Sequence, residues 1–298
     1  MNATFILDER WVINALNAAP DSIETLEYIT NLVDEINNKS NPLILCSADI
    51  YEKDCSNQQL CEVIFGDLIR HPLCRDELLR LSTLLDTLEK FDIELDDDTV
   101  DSDALSILKK YGEGALIYNK EVTDDWWIPE SMMIVDRKDK IEKYYRIKAV
   151  NKNIPFTEFS CHLPDLFPSL YFHSEAKDFS KLGVSHELHL KTIVKHLSYL
   201  NDDARNHFLE DGSNFNRIAS SHGVNLSGES TNTRGNHRAS RERCRIIANT
   251  ELKFELHTKI TWGKGRIHFH IGNNLPESVS NITQGKIIIG ILCEHLQT

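Results

Sequence analysis

Two segments near the C-terminus, Leu252-Lys-Phe-Glu-Leu-His-Thr-Lys-Ile260 and Arg266-Ile-His-Phe-His-Ile271, alternate apolar and polar residues almost one for one. A period of two belongs to β-strands, and a single apolar face implies antiparallel strands with core on one side and water on the other. The run Gly263-Lys264-Gly265 between them is a turn signal, so the pair predicts a hairpin. A third segment, Lys286-Ile-Ile-Ile-Gly-Ile-Leu292, is apolar at nearly every position, as in a central strand covered on both faces. This register sends Phe254, Leu256, Ile267, Phe269, Ile287 and Ile289 to the core. It gathers Lys253, His257, Lys259, Arg266, His268 and His270 on one wet face.

The same stretch carries an unusual charge. From Thr231 to His270 nine Lys/Arg stand against three acids, a local net of +6 in a chain whose total is −13, so the remainder carries −19. A clustered positive face attracts polyanions even when the whole molecule repels them. Lys253, Lys259, Arg266, Arg241, Arg243 and Arg245 are the expected phosphate contacts, and His257, His268 and His270 the expected proton carriers. Such a set suits metal-free cleavage of RNA, with RNA ahead of DNA as partner and no cofactor. The competing reading is a solvated basic face without chemistry.

At 298 residues the chain exceeds the usual single-core size. The polar stretch Asn151 to Pro155 is the natural boundary, giving an acidic α/β domain over 1–150 and an α+β domain over 151–298. In the first, apolar runs Thr4–Leu7, Leu43–Cys46, Ala115–Tyr118 and Met132–Val135 predict strands. Helical periodicity runs over Ile23–Ile36, Leu60–Phe65, Leu78–Leu88 and Ala104–Lys109, and the acidic run Glu94 to Asp103 reads as a solvated loop. In the second, helices are predicted over Ser185–Leu200 and from Asn201 to about Ile218, followed by a mobile Ser/Asn/Gly-rich connection over Gly223–Arg238. The fold class expected is α+β: an α/β N-terminal domain, a helical segment and a C-terminal antiparallel sheet. No apolar run approaches the roughly 20 residues needed to cross a bilayer. The start, MNATFILDERW, has acids where a secretion signal needs bases. Seven scattered cysteines without a CxxC predict buried thiols in a reducing cytoplasm.

Arg266-Ile-His-Phe-His together with Gly285-Lys-Ile-Ile-Ile-Gly-Ile-Leu-Cys-Glu-His-Leu296 resembles the closing strands of RelE/HigB-type bacterial toxins. The resemblance covers about the last fifty residues, departs from the pattern at Cys293-Glu294-His295, and implies messenger-RNA cleavage by basic and histidine side chains. The segments Pro164 to His173, His196 to Asp202 and Glu255 to Ile260 resemble a poorly characterised bacterial family associated with mobile-element or phage-defence loci. Three metal-dependent alternatives stand beside this. Asp165 with Glu175-Ala-Lys177 has the spacing of PD-(D/E)xK nucleases, and Asp8, Asp49 and Glu52, with Asp101, Asp103, Asp124 and Asp125, resemble the acids of PIN-type nucleases. His186, His189 and His196 share one side of a helix, but as HELH rather than HExxH. Trp126-Trp127 reads as core or docking element. The remaining alternative is a non-catalytic subunit whose acidic N-terminal domain docks a protein partner.

Overall fold

A computed structural model describes residues 1–18, 23–70, 75–92 and 101–296. The protein is mixed α/β and divides into two units, Met1–Asn151 and Lys152–Thr298. Most of the acidic run after Glu94, and Cys74, lie outside the described residues.

The first unit runs β1 (Ala3–Leu7), α1 (Glu9–Asn17), α2 (Ile23–Asn37) and β2 (Pro42–Ser47). A small ladder follows, β3 (Asp54–Cys55) with β4 (Gln58–Gln59), then α3 (Leu60–Arg70) and α4 (Arg75–Thr87). It closes with β5 (Glu89–Phe91), α5 (Asp103–Tyr111), β6 (Gly114–Ile117), β7 (Met132–Val135) and α6 (Lys138–Asn151). Its five main strands pair in the order β5-β2-β1-β6-β7, all parallel. Parallel strands are covered on both faces, which is why β1 and β6 bury almost every residue. The stripe Leu26, Ile29, Leu32, Val33 and Ile36 of α2 is buried, as its spacing predicts. Ser102 caps α5 by accepting from Leu105 N, and Gly112 closes it at φ 70°.

The second unit opens with α7 (Phe156–Cys161), α8 (Leu163–Leu166) and β8 (Leu170–Phe172). The long α9 (His186–Asp202) is followed by α10 (Ala204–Asp211) and α11 (Phe215–Ser221), where a single helix to Ile218 is predicted. Then come β9 (Leu226–Ser227), α12 (Thr231–Gly235), α13 (His237–Glu242), β10 (Cys244–Ile247), β11 (Thr250–Lys253), β12 (Leu256–Lys259), β13 (Arg266–His270), α14 (Glu277–Thr283) and β14 (Ile287–Cys293). One sheet has the order β8-β14-β13-β12-β9, antiparallel except for the β8–β14 edge, and β10–β11 form a separate hairpin.

Three expectations are corrected here. The segment Leu252–Ile260 is two strands, not one. At Phe254 the chain leaves its pairing with β10, donates its N–H to Arg243 O at 2.8 Å, and joins β13 from Leu256 onward. Lys253 therefore lies in a different ladder from His257. Second, Gly223–Arg238 is not a mere connection: it supplies β9, α12 and the first two residues of α13, with Ser230 and Asn236 capping the two helices. Third, the face bearing His257, Arg266 and His268 is covered, so all three are buried instead of wet. Phe254, Ile267, Phe269, Ile287 and Ile289 are in the core as expected, while Leu256 is half-buried. Among the described residues no helix is long and apolar enough to cross a membrane.

Candidate active site on the C-terminal sheet

Strand pairing assembles the site. In register, Ser227 of β9 lies opposite His257 of β12, and His257 lies opposite His268 of β13. Directly opposed residues share a face, so three side chains form a row across three strands. Lys259 and Arg266 form the next row along the same face. Glu229, two residues beyond Ser227 and past the end of β9, is brought to the same row by its contact with His257. Together with Arg243, Ser230, Thr233 and His295 these groups line a cleft of about 200 Å³.

The polar contacts follow from that row. Ser227 Oγ is 3.0 Å from His257 Nε2, and the other ring nitrogen of His257 faces Glu229 Oε1 at 3.5 Å. The imidazoles of His257 and His268 lie with centroids 4.8 Å apart, tilted by 34°. His268 Nδ1 is 3.1 Å from Phe254 O; a carbonyl only accepts, so Nδ1 carries the hydrogen. Arg243 Nε lies 2.6 Å from Glu229 Oε1, while its Nη1 donates to Ala239 O. Burial pushes His257 down to about 4, with Glu229 opposing and Lys259 and Arg266 reinforcing the shift. Burial, then His257 itself, pushes His268 down to about 3. Both imidazoles are therefore neutral at pH 7: able to accept a proton, and unable to bind phosphate as cations.

The expected phosphate contacts divide sharply. Lys259 lines the cleft and makes no ion pair among the described residues, and Arg241 is exposed on α13. Arg266 is buried and its guanidinium donates to the carbonyls of Thr261, Trp262, Lys264 and Gly265, clamping the β12–β13 turn. Arg245 donates to Glu242 O and Cys244 O and pairs with Glu175 at 3.1 Å; Lys253 pairs with Glu255 at 2.7 Å. His270 stands apart from the other two histidines. It accepts from Gly272 N and lines a separate cleft with Lys253 and Phe208.

Glu229 is the member that sequence reading missed. It sits in the stretch taken for a connection, and its only signal is the spacing Ser-Gly-Glu after a two-residue strand. Glu229, His257 and His268 offer donor atoms within 4.8 Å of one another, the one such group among the described residues. Arg243 already faces Glu229, however, and Lys259 and Arg266 line the same cleft, so the local field suits an anion better than a metal cation.

Of the metal-dependent alternatives, only Asp8 and Asp103 are brought near each other, both beside Glu9, and the other residues are dispersed. In the first unit Asp8 is buried and held by Arg10 through Nε and Nη2 at 2.9 and 2.7 Å. Glu9 accepts from Asp103 N at the start of α5, and burial with Asp8 nearby raises its carboxyl to about 7. Asp103 pairs with Lys53 and accepts from Ser47 Oγ, while Asp49, Glu52, Asp101, Asp124 and Asp125 are exposed. Asp165 is buried beside His162, but Glu175 is committed to Arg245 and Lys177 is exposed. His196 is buried, His189 turns back to Ser185 O and His186 packs on Phe156, so these three do not converge. Trp126 and Trp127 are half-buried against each other. Comparison with family profiles, curated proteins and solved structures finds nothing that matches this chain.

Proposed function

We propose that the C-terminal unit cleaves phosphodiester bonds in a nucleic-acid strand, as the working part of a toxin-like or phage-defence protein. The observation carrying this reading is the cross-strand row Ser227–His257–His268, which opens with Glu229 into a cleft walled by Lys259, Arg243 and Arg266. A neutral imidazole accepts the proton that phosphodiester cleavage releases, and cations stabilise the charge that accumulates on the transferring phosphate. Lys259 meets phosphate directly; Arg243 and Arg266 contribute field, since their donors are largely used within the fold. The tip of the same hairpin carries Trp262, 94% exposed, beside Lys264. A bare indole at a hairpin tip is a stacking platform for a base, worth roughly 1–3 kcal/mol per base.

The test offers the full-length protein end-labelled RNA and single-stranded DNA of one sequence, with and without EDTA. Cleavage that survives EDTA, is lost in His257→Ala, and shows a raised KM in Lys259→Ala and Trp262→Ala is expected. Cleavage abolished by EDTA and by Asp103→Ala would move the chemistry to the acids of the first unit. Binding without cleavage under every condition would leave the non-catalytic subunit reading, and no binding at all would end both.

A further inference from the structure

We infer that Ser227 is a nucleophile, and that Ser227, His257 and Glu229 form a relay that transfers a phosphoryl group from a phosphodiester onto the serine. The inference rests on the phosphodiester reading and deepens it by naming the attacking atom.

Three observations carry it. The first is order: the hydroxyl lies 3.0 Å from one ring nitrogen of His257 and the carboxylate 3.5 Å from the other. In that order a base removes a hydroxyl proton while a carboxylate orients the ring and stabilises the imidazolium. Strand pairing alone brings Ser227 to His257, but it does not bring the carboxylate. Glu229 lies beyond the end of β9 and is held against the ring from a covering segment, with Arg243 at its oxygen. The second observation is burial. Glu229 Oε1, His257 Nδ1 and Arg243 Nε are all shielded from solvent, and the carboxylate oxygen faces Arg243 Nε at 2.6 Å and His257 Nδ1 at 3.5 Å. The carboxylate is thus fixed against the ring that it orients. The third is charge: Lys259, Arg243 and Arg266 around the cleft match a phosphodiester anion.

The step balances as follows. Ser227 Oγ bonds to phosphorus while the bond from phosphorus to the leaving nucleoside oxygen breaks. The serine proton passes to His257 Nε2, and the departing alkoxide takes a proton from water, leaving hydroxide. A second water then attacks phosphorus and the bond to Oγ breaks. His257 returns its proton to Oγ, and the proton shed by that water neutralises the hydroxide. Water is the sole co-reactant. The strand's own 2′-hydroxyl takes no part, so DNA is cut as well as RNA.

The experiment treats the full-length protein with a fluorophosphonate, maps the label by mass spectrometry, and offers in parallel an RNA and its all-2′-deoxy counterpart. One label on Ser227 is expected, reduced roughly tenfold or more in His257→Gln and in Glu229→Gln. Cleavage of both strands should fall by about 100-fold or more in Ser227→Ala, with strand binding and thermal midpoint unchanged. Cleavage of RNA alone, kept in Ser227→Ala and without a label at Ser227, would remove the nucleophile and leave the phosphodiester reading standing. A labelled Ser227 in a protein that cuts neither strand would keep the nucleophile and overturn the substrate class.

Discussion

Burial holds three imidazoles of the second unit neutral: His196 and His257 at about 4, and His268 at about 3. The groups facing His257 are Glu229, Lys259, Arg266 and His268; His196 has Lys195 beside it. An unfolded histidine titrates near 6.5, so as pH falls the unfolded chain takes up protons first. Stability present above pH 6.5 is therefore lost between about 6.5 and 4, by on the order of several kcal/mol for the three together. Urea denaturation of His196→Met, followed from pH 7 to 4, should show a slope shallower by about one proton, ~1.4 kcal/mol per pH unit. A slope identical to wild type would mean that His196 is not held neutral.

At the level of elements, Gly290 decides how the site is packed. The β13–β14 register passes from His268 opposite Ile291 to Phe269 opposite Ile289, leaving Gly290 as the extra residue of a bulge. A Cβ there would lie 2.4 Å from the Phe254 ring, which is fully buried where the chain changes ladders. Gly290→Val should cost about 1–3 kcal/mol in a denaturant titration and displace Phe254, whose carbonyl holds His268. An unchanged midpoint would contradict this packing. The same elements show what was legible in the sequence. Alternation placed His257 and His268 on one face, because cross-strand pairing is a local consequence of period two. It did not show that the face is covered, since the cover comes from a polar segment whose own strand has two residues. Nor did it show the break at Phe254, which long-range pairing imposes on an unbroken pattern. Helix α6 was missed for a related reason: it buries Glu142, Arg146 and Lys148, so polarity does not mark its outer side.

Across the whole molecule the two units answer acid in opposite senses. Glu9, raised to about 7 by burial and by Asp8, contributes stability that is complete below its ordinary 4.5 and lost as pH rises through 7. Segment-resolved hydrogen exchange, corrected for intrinsic rates, should show a contribution to β1 protection that grows toward pH 5 and disappears in Glu9→Gln, while β12 and β13 lose protection over the same interval. A parallel drift in both units, unaltered by Glu9→Gln, would refute the assignment. The distribution of charge makes a second molecular prediction. Nine cations sit between Thr231 and His270, yet Arg243, Arg245 and Arg266 are turned into the fold. Arg234, Lys253 and Lys264 are paired with Glu255 and Glu294, which leaves Arg238, Arg241 and Lys259. Binding to a single strand should thus engage roughly three phosphates, a log–log salt slope of about −2. A slope of about −4 would mean that the three inward arginines swing outward on binding.

The guanidinium of Arg266 reaches the carbonyls of Thr261, Trp262, Lys264 and Gly265 from the first position of the strand that follows them. It acts as a ruler: the fork has one length, and the loop that fits it has one residue count. Lengthening the hairpin tip by a single residue would leave carbonyls beyond its reach and change where the exposed Trp262 is held, whereas any residue at Trp262 itself leaves the measure intact. The tip can thus vary in what it presents while remaining fixed in where it presents it.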